Sequence, residues 1–459
     1  MRKITSKRKM TALLALPLAL LLTNCAEDFD QPVVELEQNK EKAYVASEDG
    51  TVAVITHGDH PKLVKTIKAG GSNDVTAAFG HVYVNNAGAN SVSIIDANKE
   101  VPKGATGVGV RPVHSLMVKG GNLLLVGNDG PRDDPNTTDD DVLVAADDTM
   151  SVIDTNPNNT TFMMEIARIR VGNGHHKLAY SDETERAAIT NLSAKTVTII
   201  DLNALAVMCT VSVGAVPHGI DYSHKSGDAY IANVADPTDA MTIVKLDGAF
   251  TIPADPRDTT TCASLVTSST IAKGTGSGQI PASGFTHTNH AGTFVFTVGY
   301  TSTTQTGHLS VIRTSDNTVV PVLNIPNFKP DKFAITEDDT RIYISSVEDE
   351  NNAATVPGTT VAVVDVDIAT GAAALHPTTP FLTVGKGHDH RAIALSSDDL
   401  RLFVPNSGED PGTVTVFDTA DLSKPLGTFT VGDEPNALVY VDAQTLKLPE
   451  GSGDGGHGH

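Results

Sequence analysis

Tryptophan is absent from the 459 residues, and cysteine occurs only at Cys25, Cys209 and Cys262. The first absence excludes the tryptophan-rich repeats of quinoprotein dehydrogenases. No Cys-x-x-Cys-His occurs, so no haem c is expected. Neither a His-Glu-x-x-His pair nor a nucleophile elbow is found. The glycine-rich stretch Gly274–Gly278 lacks the strand–helix setting of a phosphate loop, so no nucleotide is expected either. Helix signals are nearly missing. Positive charge is also short: 33 Lys and Arg stand against 55 Asp and Glu, a formal net charge of −22. The first 24 residues hold five of the positive charges and none of the negative ones, so a chain without them stands at −27. Such acidity disfavours nucleic acid and anionic lipid as partners. It suits cations or a basic protein partner.

What the chain has in abundance is one repeated phrase. A short strand opener leads to an acidic or glycine turn, a β-branched or aromatic strand, a polar loop and a second strand often ending in Asp. His218-Gly219-Ile220-Asp221-Tyr222 leading to Ala229-Tyr230-Ile231-Ala232-Asn233 matches Arg391-Ala392-Ile393-Ala394-Leu395 leading to Leu402-Phe403-Val404-Pro405-Asn406. The strong strands begin near Ala43, Val82, Leu123, Ala187, Ala229, Phe294, Ile342 and Leu402. Period-2 alternation marks them as strands. A recurrence of roughly 40 to 60 residues with about four strands per unit is the signature of a β-propeller. The fold class is therefore all-β, one closed propeller of eight four-stranded blades, or seven if a long insertion has been counted as a blade. The first unit lacks its opening strand, and Pro435–Tyr440 reads as that strand. Pairing it with the N-terminal blade would close the ring and hide two sheet edges. The expected divisions are a signal at 1–24, a tether at 25–42, the propeller at 43–448 and a Gly/His tail at 449–459.

The N-terminus reads as an address. Arg2, Lys3, Lys7, Arg8 and Lys9 precede the apolar run Ala12–Leu22, which is too short to span a membrane. The run ends in Leu22-Thr23-Asn24-Cys25, which resembles a bacterial lipoprotein signal with Cys25 as the lipidated residue. Ala26 rather than Asp follows it, which by family analogy favours the outer membrane, with the propeller facing the periplasm. Export permits disulfides. Cys209 and Cys262 fall on expected outer strands of adjacent blades, either bridged or as two separate thiols.

Histidine converges on one place. Stacking the repeats puts Asn436, Asn73, His114, His176, His218, Gly284, Asp331 and Arg391 at the channel mouth, with His175, His287, His388, Asp389 and His390 beside them. Neutral imidazoles, with a carboxylate, suit tetrahedral zinc, and copper binds such sets still more tightly. The expected ligands are His114, His176, His218 and His287, with Asp331, His388 and His390 as alternates or as groups orienting them. The alternative for each His is structural, as in Pro217-His218-Gly219, where the ring would bond backbone at a blade junction. The insertion Asp129–Asp148, with Asp139, Asp140 and Asp141 at its centre, should hang over the same face. His457 and His459 in the Gly/His tail make a secondary metal collector.

The strand-and-Asn phrases, such as Val82-Tyr83-Val84-Asn85-Asn86 with Ser91–Asp96, resemble the Tyr-Val-Thr-Asn repeat family of surface propellers. That superfamily includes the propellers of nitrous oxide reductase and the haem-d nitrite reductase. Nitrous oxide reductase needs a Cys-rich copper domain that this chain lacks. Arg111-Pro112-Val113-His114, His287 and His290 before an apolar strand, and the His-bearing C-terminus are similar to periplasmic zinc metallochaperones that serve zinc ABC transporters. That likeness implies zinc capture and handover to a periplasmic solute-binding protein of a metal transporter. The lipid anchor departs from it, since those chaperones are generally soluble. A metal-free protein-interaction propeller and, third, a redox enzyme or lyase using the mouth are the competing readings.

Overall fold

The computed structural model describes residues 41–71, 74–130, 148–246 and 268–447. Thirty-four strands in this range form eight antiparallel sheets, each one blade. Blade 1 combines both ends of the chain: β34 (Pro435–Val441) lies innermost, followed outward by β1 (Lys42–Ser47), β2 (Thr51–Thr56) and β3 (Leu63–Lys68). β34 pairs with β1 from Lys42↔Val441 to Ser47↔Pro435. The ring closes through its C-terminal strand, as the missing opener required. Blades 2 to 8 follow in chain order, and in blades 6 and 7 the outermost strand is broken into two pieces.

The second strand of each blade is buried on both faces, because blades press against it from either side. Tyr44, Tyr83, Tyr230, Tyr343, Phe296 and Phe403 occupy this strand and are among the largest wholly buried side chains. They supply the bulk between blades that tryptophan supplies elsewhere, each worth roughly 1.5–3 kcal/mol on burial. The residue ending the same strand fixes the blade. Asn191 Nδ2 donates to the hydroxyls of Thr196 (3.0 Å) and Thr198 (2.9 Å) on the next strand. Asn233 and Asn406 make the same kind of bond, as does Asn128 one residue before the end of its strand. The preceding crossover passes tightly over this amide. A Cβ on Gly172 would lie 2.8 Å from Asn191 Cγ, and one on Gly214 would lie 2.5 Å from Asn233 Cγ. That close approach explains the recurrent Val-Gly pairs Val171-Gly172 and Val213-Gly214.

Cys209, on an outer strand of blade 4, is disulfide-bonded. Its partner lies outside the described residues, as do Cys25, Asp139, Asp140, Asp141, His457 and His459. No helix among the described residues is long and apolar enough to cross a membrane.

Candidate metal centre at the channel mouth

The inner strands that open blades 3, 5 and 7 start irregularly. In β8 (Pro112–Val118) the register shifts between Pro112 and His114. It shifts again between Pro217 and Ile220 of β16 (Pro217–Ser223), and between Pro330 and Phe333 of β25 (Pro330–Ile335). Such bulges re-aim side chains. Here they fall immediately before His114, at His218 and at Asp331. Arg111 and Val216, each just before the opening proline, sit in the left-handed region at φ 53° and 55°. For a β-branched residue such as Val216 this stores local strain of roughly 1–3 kcal/mol.

Three imidazoles from three successive blades meet at the mouth. His114 Nε2 lies 3.0 Å from His175 Nε2, with the rings edge-to-face at 4.7 Å. His218 stacks on the other side of His175, 5.3 Å centroid to centroid and 13° from parallel. Asp129, at the end of β9 (Leu123–Asp129) and 2% exposed, holds His175 Nδ1 at 2.8 Å. A carboxylate only accepts, so Nδ1 of His175 carries a proton, the tautomer in which a neutral ring would offer Nε2 to a metal. Lys177 Nζ approaches His114 Nδ1 at 3.2 Å and completes a line Asp129–His175–His114–Lys177. Below it lies a cavity of about 260 Å³ lined by Asp74, His114, Lys177, Phe285, Lys332 and Leu438, among others.

Burial sets the charge state here. It drives His114 well below the ordinary histidine range, and Lys177, His175 and Lys332 push the same way. It takes His218 down to about 3, with Lys177, His175 and His390 adding to it and Asp331 opposing. Lys177 is brought down to about 7 by burial and by Lys332, against the pull of Asp74, Asp331 and Asp129. Burial raises Asp74, although Ser115 N donates to its Oδ2 at 2.9 Å. The two low-lying imidazoles present lone pairs at neutral pH.

These shifts carry a stability consequence. The folded pKa of His114 and of His218 lies below the ordinary 6.5, so under mildly acidic conditions the unfolded chain binds more protons than the native one. Stability is expected to fall as pH drops from 6.5 to about 4 in metal-free buffer, and His218→Asn should flatten that slope. Urea midpoints across this window check it, and a flat profile for the unsubstituted chain would contradict it.

The remaining expected ligands are distributed differently. His176 is wholly buried and turned away from the mouth. Its Nδ1 donates to Thr190 O at 2.7 Å, and its Nε2 lies 3.3 Å from Asp148 Oδ1. The adjacent His175 stands beside His114 instead. His287, on β20 (Thr286–Thr288), is half exposed and turns to Asp221, with Nδ1 2.6 Å from Oδ2. Burial works against its charge, but the Asp221 carboxylate outweighs this and raises its pKa. His390 pairs with Asp331 at 3.5 Å, and Asp331 Oδ2 also accepts from Arg391 N at 2.6 Å. His388 sits with Glu350 and Asp389, their ligand atoms within 4.8 Å of one another. Among the described residues only this group and Glu41–His57–Asp398 gather three such atoms as they stand. The mouth histidines would need His218 to turn.

Lys177, Lys332 and Asp74 were missed by sequence reasoning, because a lysine or aspartate opening a strand has no signature of its own. His175 had the signal of a His-His pair, but the stacking of repeats favoured its neighbour. Beside the mouth, between blades 8 and 1, lies an acidic cavity of about 550 Å³ whose lining includes Glu48, Asp49, His388, Glu409, Asp433 and Glu434.

Fold and site together define an eight-bladed propeller with an imidazole group at one mouth and an acidic cleft beside it. No protein-family model matches the chain, and no curated protein matches it in sequence. Solved structures do resemble it. AztD from Citrobacter koseri aligns at TM-score 0.58 with 12% identity over 87% of this chain and 97% of that chain. The dihydro-haem d1 dehydrogenase NirN, in complex with DHE, aligns at 0.58 with 11% identity over 89% and 76%. Kuenenia stuttgartiensis hydrazine synthase aligns at 0.51 with 16% identity over 77% and 96%. At such identities the likeness is one of fold.

Proposed function

We propose that this chain is a cell-envelope lipoprotein whose propeller captures a divalent metal at the channel mouth, as a metallochaperone or metal store. Zinc is favoured, with copper the alternative. The observation that carries this reading is the Asp129–His175–His114 arrangement. Two ligands on a tetrahedral ion with metal–nitrogen bonds of about 2.0–2.1 Å stand roughly 3.3 Å apart. The two Nε2 atoms are 3.0 Å apart. A carboxylate on the far nitrogen of a ligating imidazole is the usual way such a ligand is oriented and made more basic. His218 completes the set after a ring rotation, and a solvent molecule takes the fourth position. Asp331 and His390 stand nearby as further donors. The acidic cleft raises the local cation concentration at the same face. The sequence resemblance to periplasmic zinc metallochaperones supports cargo over cofactor, and handover to a solute-binding protein of a metal transporter.

Asp129→Asn tests the arrangement. It should weaken zinc binding by about 10–100-fold, the range for removing an orienting carboxylate, with the fold retained. Unaltered zinc affinity would remove the support this reading rests on.

The envelope location rests on Leu22–Cys25 and the basic leader. Cys25→Ser is expected to release the protein into the soluble envelope fraction or to leave the precursor unprocessed. Fractionation that finds the variant membrane-bound and correctly processed would contradict lipidation.

A further inference from the structure

We propose a second site for a zinc-class divalent ion, on the opposite face of the ring, formed by Glu41, His57 and Asp398. Glu41 directly precedes β1, and His57 directly follows β2. Asp398 lies in the turn between β30 (Ala394–Leu395) and β31 (Arg401–Asn406) of blade 8. All three positions are at the strand ends away from the mouth. Their ligand atoms lie within 4.8 Å of one another.

The carrying observation is the state of His57. Its side chain is 1% exposed; Nε2 is engaged by a carboxylate alone, outside good hydrogen-bond geometry, and Nδ1 has no partner. The nearest carboxylate oxygen, Asp398 Oδ1, is 3.3 Å from Nε2. Leaving a buried polar group unbonded costs roughly 1–3 kcal/mol. The surroundings hold the ring in place. It packs edge-on against Tyr440 at 5.9 Å, and Tyr440 donates its hydroxyl proton to Glu41 Oε2 at 2.8 Å. Arg401 of blade 8 clamps the turn that carries His57, donating to Gly58 O at 2.9 Å and to Asp59 Oδ1 at 2.6 Å. The imidazole is thus fixed, desolvated and facing two carboxylates across a blade junction.

One nitrogen and two carboxylate oxygens with an open fourth position suit zinc. Calcium, which takes six to eight oxygens, is not served by an imidazole. An ion here would tie blade 1 to blade 8, across the seam where the two ends of the chain meet. It would act as a structural lock, independent of the cargo site at the mouth.

The test uses the full chain carrying His114→Ala and His175→Ala, which removes the mouth ligands. Zinc titration should still show one equivalent, and zinc should raise the melting temperature. Adding His57→Gln should abolish both effects, and Asp398→Asn, added separately, should do the same. The proposal is overturned if no equivalent remains in the starting variant, or if both effects survive His57→Gln and Asp398→Asn. Zinc-edge anomalous diffraction from zinc-soaked crystals of the unsubstituted chain needs no variant to fold. A peak within about 2.2 Å of a His57 ring nitrogen is expected. Absence of that peak overturns the site, while a peak at His175 reports separately on the mouth.

Discussion

Truncation after Gly432 should remove most of the stability of this protein. The cut deletes β34, and β1 loses its inner partner from Lys42 to Ser47, keeping only β2. Ala437 and Val441, 3% and 1% exposed, leave a core cluster shared with Tyr44, Ala46, Val54 and Val84. Leu438 and Tyr440 leave a second cluster built on Val45, Ile55 and Phe403 of blade 8. At about 1.5–3 kcal/mol for each large apolar side chain, the loss is roughly 5 kcal/mol or more, comparable with the whole net stability of an ordinary domain. The exposed edge of β1 would also invite aggregation. Thermal melting of the truncated and full chains checks this. An unchanged melting temperature would mean that the closing strand contributes nothing to the ring.

Replacing His114 and His175 together by Ala should abolish zinc binding at the mouth, one equivalent of the total, while leaving the β fold intact. Each ring gives one nitrogen to the shared point at the mouth, and His218, stacked on His175, cannot hold an ion alone. The effect should exceed the roughly 10–100-fold expected from Asp129→Asn, which leaves both donors in place. Lys177→Met should act in the opposite direction, because it removes a buried cation 3.2 Å from His114 Nδ1. Removing His457 and His459 should cost only a weaker, secondary binding event. Circular dichroism separates loss of metal from loss of fold. Zinc uptake undiminished in the doubly substituted chain, with no equivalent lost, would move the site away from the mouth.

The architecture was legible in the sequence because blades are built from local pairing. Period-2 strands, Asp-rich turns and the recurrent Asn each leave a mark on the repeat, and the orphan strand at Pro435–Tyr440 could be matched to the copy that lacked an opener. The site was legible only as a place. Stacking the repeats located the mouth, but the direction of each side chain depends on bulges and on where the inner strand begins. β12 (Leu178–Ser181) begins two residues beyond His176, so His176 points between blades and His175 points to the mouth. His287, by contrast, lies within β20 and turns to Asp221 on the neighbouring inner strand. Lys177, Lys332 and Asp74 come from three different blades, and ring closure alone brings them to one cavity. Glu41, His57 and Asp398 meet only because the ends of the chain share a blade, a long-range consequence that no local pattern records.

Calorimetry at neutral pH on the chain without any affinity tag tests the central claim most directly. The account predicts stoichiometric tight zinc uptake, including one equivalent that disappears with His114→Ala and His175→Ala. No stoichiometric uptake of zinc or copper would contradict it, and a metal-free interaction propeller would take its place.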